Sequence, residues 1–155
     1  MRKVGIFCKP KTSSGAVTLK KLIPWLCDQG CQVLLDKETA ALINEHSSYK
    51  KEEVSREADL LIALGGDGTL LGVARIAHPY DVPILAVNLG SLGFLAEVSL
   101  EQLYPVLENV LAGKFEVERR MLLNACIWRN GNKVEDNNVL NDVVINKGVV
   151  ARVIN

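Results

Sequence analysis

The stretch Leu61–Arg75, LIALGGDGTLLGVAR, decides how the rest of the chain is read. It completes an apolar run that starts at Ala58 (ADLLIALGG), is broken only by Asp59 and is bounded by glycines. That is the pattern of a strand buried on both faces. From Thr69 to Ala77 the apolar residues recur with a helical period. A glycine-rich turn between a central strand and a helix is the usual ligand edge of an open α/β sheet, where backbone N–H groups meet phosphate. Gly65, Gly66 and Gly68 let a ligand approach the backbone closely. The turn is not a Walker A loop, because the GxxxxGK[ST] spacing and its lysine are absent, and its spacing does not fit GxGxxG.

Asp67 therefore stands where a polyphosphate would be expected. It can bind Mg²⁺ that offsets phosphate charge, take a proton from a substrate hydroxyl as a general base, or hydrogen-bond a ribose hydroxyl. The structural alternative is an Asx-type turn in which the aspartate caps only its own backbone.

Outward from this turn, strand and helix alternate. Val4–Cys8 is a short apolar strand ending in the loop chemistry of KPKTSSG. Ala16–Cys27 has helical spacing and stops at Gly30, with Pro24 predicting a kink or a late start. CQVLLD (Cys31–Asp36) and PILAVN (Pro83–Asn88) read as further strands. Ser99 and Gln102 make a possible capping box before a helix carrying Leu103, Val106, Leu107, Val110 and Leu111, closed by Gly113. The expectation is an α/β, Rossmann-like parallel-sheet domain over residues 1–117.

The pattern then changes. MLLNACIWRNGNKVE reads as strand, Asn130-Gly131 type I′ turn and strand, and NVLNDVVIN and VVARVIN continue in strands around a Lys147-Gly148 turn. Residues 118–155 are expected to be the first strands of a truncated all-β domain.

Bulk properties narrow the function. The 155 residues carry 18 basic and 18 acidic side chains and 48% hydrophobic residues, so a packed globule is expected and a strongly basic nucleic-acid-binding surface is not. Aromatics at 5% are too few for base-stacking platforms along a nucleic acid. No apolar run approaches the ~18 residues needed to cross a bilayer, and MRKVGIFCKP has no signal-peptide core. The reading is a soluble, cytoplasmic protein with no membrane partner. The four cysteines fit that compartment as buried thiols, and two distant histidines, His46 and His78, make no metal site.

Two further segments carry candidate chemistry. In NLGSLGFLAE (Asn88–Glu97), Gly90 and Gly93 permit a tight crossing at the same sheet edge, and Phe94 either lies against an adenine or belongs to the core. In LNDVVINKG, Asn141 offers a donor and an acceptor and Asp142 acceptors only, a pair suited to ribose hydroxyls and base edges. On a strand these two neighbours point to opposite faces.

In combination, GGDGTLL, NLGSLGFLAE, VERRMLL and NDVVINKG, in that order, resemble the NAD kinase family. The turn alone is shared more widely, with phosphofructokinases and with diacylglycerol and sphingosine kinases. The resemblance implies ATP-dependent phosphorylation of the adenosine-ribose 2′-hydroxyl of NAD to NADP, with Mg²⁺ required. It implies a nucleotide site of Gly65, Gly66, Asp67, Gly68 and Thr69, joined by Phe94, Asn141, Asp142 and Arg152, with Asp67 as the catalytic residue. It also implies a homo-oligomer and a longer, β-rich continuation. The alternatives left open are a lipid or sugar kinase with the same turn and a nucleotide-binding module without turnover.

Overall fold

In the computed structural model, which describes residues 2–90 and 93–145, five apolar segments form one sheet: Lys3–Cys8 (β1), Gln32–Leu35 (β2), Leu60–Leu64 (β3), Ile84–Asn88 (β4) and Val98–Ser99 (β5). The order is β2-β1-β3-β4-β5, and every neighbouring pair is parallel. Both faces are covered, which is why these strands read as continuous hydrophobic runs. Val4, Ile6, Cys8, Ile62, Leu64 and Val87 belong to one core, together with Leu19, Leu22, Leu26, Leu103 and Leu107. Phe7, Leu34, Leu61 and Ala63 belong to a second, with Val54, Val73 and Ala77.

The helices supply those partners: Ser13–Asp28 (α1), Lys37–Ala41 (α2), Lys51–Glu57 (α3), Asp67–Ala77 (α4) and Leu103–Leu111 (α5). Leu19, Leu22 and Leu26 of α1 are fully buried, each contributing about 1.5–3 kcal/mol relative to exposure. The helix ends in a Schellman pattern: Gly30, at φ +76°, donates its N–H to the Cys27 carbonyl, and Cys31 donates to that of Leu26. Pro24 neither delays nor ends α1, which begins at Ser13 and runs through it to Asp28. Pro24 and Lys20 are both exposed, so the helix turn that loses a donor at Pro24 lies on the face away from the core. Before α5, the Gln102 side chain accepts from the Ser99 N–H, half of the expected capping box.

Contacts divide the chain into a unit spanning Met1–Glu118 and one spanning Arg119–Asn155. The second contains a two-stranded antiparallel sheet, Leu123–Arg129 (β6) and Asn132–Val139 (β7). Asn130 and Gly131 sit at φ +50° and +78°, the positive pair that a type I′ turn demands. A register shift at Ile127/Trp128 bulges the ladder. The expected strand through Asn141 and Asp142 is not formed: β7 ends at Val139, and residues 141–145 are exposed and pair with no strand among the described residues. The expected Lys147-Gly148 turn and the strand after it lie outside the described residues.

Candidate functional site

In the order β2-β1-β3-β4-β5 the chain turns one way from β1 and returns on the other side to β3, so a crevice opens at the carboxyl ends of β1 and β3. A cleft of about 400 Å³ lies there. Its lining comes from the exit of β1 (Phe7–Pro10), the segment after β2 (Asp36, Glu38, Thr39), Lys51, and the turn and first helical turns after β3 (Gly66, Gly68, Thr69, Gly72, Val73, Ile76).

Hydrogen bonds fix each wall. The Lys9 N–H donates to the Leu64 carbonyl (2.8 Å), extending the pairing of β1 with β3 into the cleft. The buried Asp36 carboxylate accepts from the Glu38 and Thr39 N–H groups and caps α2, while Thr39 Oγ1 accepts the Cys8 N–H (3.1 Å). At the rim, Lys51 Nζ pairs with Glu38 at 2.7 Å. Burial first, and the Asp36 charge to a lesser degree, push the Cys8 thiol up to about 11 against a lowering hydrogen bond from Thr12, so Cys8 is a neutral floor residue. The lining residues Lys9, Asp36, Glu38, Thr39 and Lys51 were not singled out from sequence. Their one legible signal was Asp36 three residues before Thr39, an N-cap pattern without a long apolar helix behind it.

The turn is built as its sequence requires. Gly65 is buried and continues the sheet, donating to the Val87 carbonyl and accepting from Leu89. A Cβ at Gly65 would lie 2.7 Å from Thr69 Cβ, so Thr69 packs where only glycine leaves room. Gly66 is the N-cap of α4, and its carbonyl accepts from Thr69 and Leu70. The helix therefore starts at Asp67, two residues before the periodicity suggests. At Gly66, Gly68 and Gly72 a Cβ would meet nothing within 4 Å among the described residues, and none of the three has a positive φ. The chain's own packing does not require glycine at these positions, and all three line the cleft.

Among the described residues the Asp67 carboxylate accepts no N–H of its own helix, in contrast to the Asx-turn alternative. Its Oδ2 accepts the Phe94 N–H (2.9 Å) and its Oδ1 accepts those of Leu95 (3.1 Å) and Ala96 (3.0 Å). These bonds, that of Ala96 foremost and Phe94 next, hold the Asp67 carboxyl below the usual carboxylate range. The acidic side chain also sits in the first turn of α4, where it complements the helix dipole. Asp67 thus binds the GGDG turn to the segment after β4. Phe94 is not core, being 97% exposed.

Gly65, Gly66, Asp67, Gly68 and Thr69 thus form one continuous turn, tied to Phe94 through the backbone; of these, Gly66, Gly68 and Thr69 line the cleft, whereas Gly65, Asp67 and Phe94 are not part of its lining. Asn141 and Asp142 belong to the second unit, and Arg152 lies outside the described residues. Among the described residues no three His, Cys, Asp or Glu side chains form a metal cluster, and no helix is long and apolar enough to cross a membrane.

Fold and site define a doubly wound α/β protein whose ligand edge carries a Gly-Gly-Asp-Gly turn. Residues 4–115 match the model of the ATP-NAD kinase N-terminal domain. The chain is 46% identical over 157 residues to an NAD kinase of Citrifermentans bemidjiense, covering 99% of this chain and 54% of that protein. It is 41% identical over 153 residues to one of Caldanaerobacter subterraneus subsp. tengcongensis, covering 98% and 54%. A crystal structure of yeast NADH kinase complexed with NADH superposes with a TM-score of 0.80 at 23% identity, covering 91% of this chain and 47% of that one, a likeness of fold. This chain belongs to the NAD kinase family. It spans about half the length of the curated relatives it matches.

Proposed function

We propose that the protein to which this chain belongs transfers the γ-phosphoryl group of ATP to the adenosine-ribose 2′-hydroxyl of NAD, forming NADP. The observation that carries this reading is the cleft at the ends of β1 and β3, lined by glycines that the fold itself does not need. Family membership supports the choice of NAD as acceptor.

Phosphoryl transfer runs through a loose transition state, so positioning and electrostatics carry most of the catalysis and a strong base is not required. Gly66, Gly68 and Gly72 leave the amino end of α4 open to donor phosphates, where helical N–H groups and the dipole favour anions. Lys9, at the exit of β1, adds a positive charge to the opposite wall. A carboxylate has about four acceptor positions. Asp67 commits two on Oδ1 and one on Oδ2 to the amides, which leaves one on Oδ2 for a substrate hydroxyl. Asp67 then orients the 2′-hydroxyl as an ionised acceptor and takes up its proton late in the transfer.

Mg²⁺ suits this site as a complex with the donor, because it usually needs only one or two protein carboxylates besides phosphates, and Glu38 at the rim is the most exposed carboxylate of the lining. When bound it offsets phosphate charge. Phe94 offers a face for the adenine of NAD, and Asn141, Asp142 and Arg152 are proposed as contacts to its ribose and base. A homo-oligomer in the cytoplasm completes the proposal.

The test is an ATP-plus-Mg²⁺ assay offering NAD, diacylglycerol and fructose 6-phosphate as acceptors, on this chain and on a form continued with a relative's carboxyl-terminal half. NADP formation by the continued form supports the reading. Phosphorylation of the lipid or sugar, or of no acceptor by a folded protein that still binds NAD, contradicts it.

A further inference from the structure

Phe94 has 97% of its surface exposed, yet the backbone beneath it is not loose. Phe94, Leu95 and Ala96 each donate their N–H to the one Asp67 carboxylate, and Ala96 is itself buried at 1% exposure. The segment is thus anchored in the core at one end and tied to the GGDG turn along its length.

Gly93 makes that tie possible. A Cβ at this position would lie 2.7 Å from Asp67 Cγ and 2.8 Å from Oδ2, closer than real Cβ contacts come. Any side chain at residue 93 must therefore push the carboxylate away from the amides. The position does not have the positive φ that would demand glycine by itself, so the need is for space.

We infer that Gly93 is a positioning residue: by leaving room for the Asp67 carboxylate it fixes the backbone of Phe94, and so holds the phenyl ring as a preset platform for the flat purine base of a nucleotide. This rests on the nucleotide-site reading above and deepens it. An aromatic set in place beforehand spares the ligand the cost of ordering it, and stacking of a base on such a ring changes affinity by roughly tenfold or more.

Gly93→Ala opens the clasp and keeps the Asp67 carboxylate, which Asp67 substitutions cannot do. The experiment compares the continued form, unsubstituted and as Gly93→Ala, Phe94→Ala and the double variant, by amide hydrogen exchange and by calorimetric titration with NAD. In Gly93→Ala, exchange at residues 94–96 should accelerate at least about tenfold while β1 and β3 stay protected, and NAD affinity should fall by about 5- to 20-fold. The double variant should lose less affinity than the product of the two single losses, because part of the Gly93→Ala loss runs through the Phe94 ring and only the rest through the displaced Asp67 carboxylate. Unchanged exchange at residues 94–96 overturns the inference, and so do losses that multiply in the double variant. If the unsubstituted continued form does not bind NAD, the site reading fails and the platform with it. Exchange in Gly93→Ala then still decides separately whether Gly93 sets the segment.

Discussion

Replacing Gly72 by alanine should raise stability and impair function at once. Gly72 lies in the interior of α4, has no positive φ, and its missing Cβ would meet nothing within 4 Å. Alanine there removes the backbone entropy cost of glycine, which is worth about 0.5–1 kcal/mol in a helix interior. For a chain of this size, that raises Tm by roughly 1–4 °C. The added methyl, however, enters the cleft lined by Gly66, Gly68 and Gly72. If donor phosphates approach the helix there, a displacement of about 1 Å should cost on the order of 10- to 100-fold in kcat/KM for ATP. Thermal unfolding followed by circular dichroism, with ATP-dependent kinetics on the continued form, reads both effects. A higher Tm with unchanged ATP kinetics would refute the placement of the donor on this face. A lower Tm would refute the claim that the fold leaves the position free.

Gly65→Ala should behave oppositely. Its Cβ would meet Thr69 Cβ at 2.7 Å and Cγ2 at 3.1 Å, and such overpacking costs about 1–3 kcal/mol, read as a lower urea midpoint. Gly66→Ala, with open space around it, should leave that midpoint almost unchanged. Cys8, raised to about 11, should hold about 100-fold less thiolate at pH 8 than a thiol at the ordinary 9.0, and burial should slow its alkylation further. Its folded-state pKa is raised, so its contribution to stability is complete below pH 9 and is lost as pH rises through about 11. Labelling with iodoacetamide and mass mapping at pH 8 should find the exposed Cys27 and Cys126 modified long before Cys8, and equal rates would contradict this. Asp67 titrates below its ordinary 3.8, so the stability it lends is present above that value and is lost as pH falls through its lowered pKa. Exchange at residues 94–96 should rise selectively in that acid range, and a uniform rise across the sheet would argue against a local clasp.

The parallel sheet was legible because its strands are buried on both faces, which leaves apolar runs such as Leu60–Leu64 that need no context to be read. The hairpin was legible because Asn-Gly answers a backbone demand at two consecutive residues. Helices α2 and α3, of 5 and 7 residues, are too short for a period to emerge, and their only marks are local caps: Asp36 on Thr39, and the Glu53 carboxylate on the Lys50 N–H. The two-residue β5 is shorter still and exists by pairing with β4. At the site, the GGDG turn declared itself, but the partners of Asp67 did not. They are backbone amides 27 to 29 residues away, and a backbone N–H carries no side-chain signature. Gly93 could be read only as a flexible residue until the carboxylate beside it came into view. The unpaired course of residues 141–145 was hidden for a different reason: alternating apolar residues suit a strand, but a strand needs a neighbour to pair with.

The most direct test of the central claim, that the Gly65–Thr69 turn carries phosphoryl transfer to NAD, is NADP formation from ATP, Mg²⁺ and NAD by the continued form and its Asp67→Asn variant. Asparagine keeps the side chain's size and two of the three amide bonds through Oδ1, but it sets an NH₂ group against the Phe94 N–H and cannot take up a proton. The account predicts a cooperative unfolding transition in both proteins and a loss of turnover in the variant of at least about 100-fold, within the range that positioned acid–base groups contribute. Full turnover in a folded Asp67→Asn protein would contradict it.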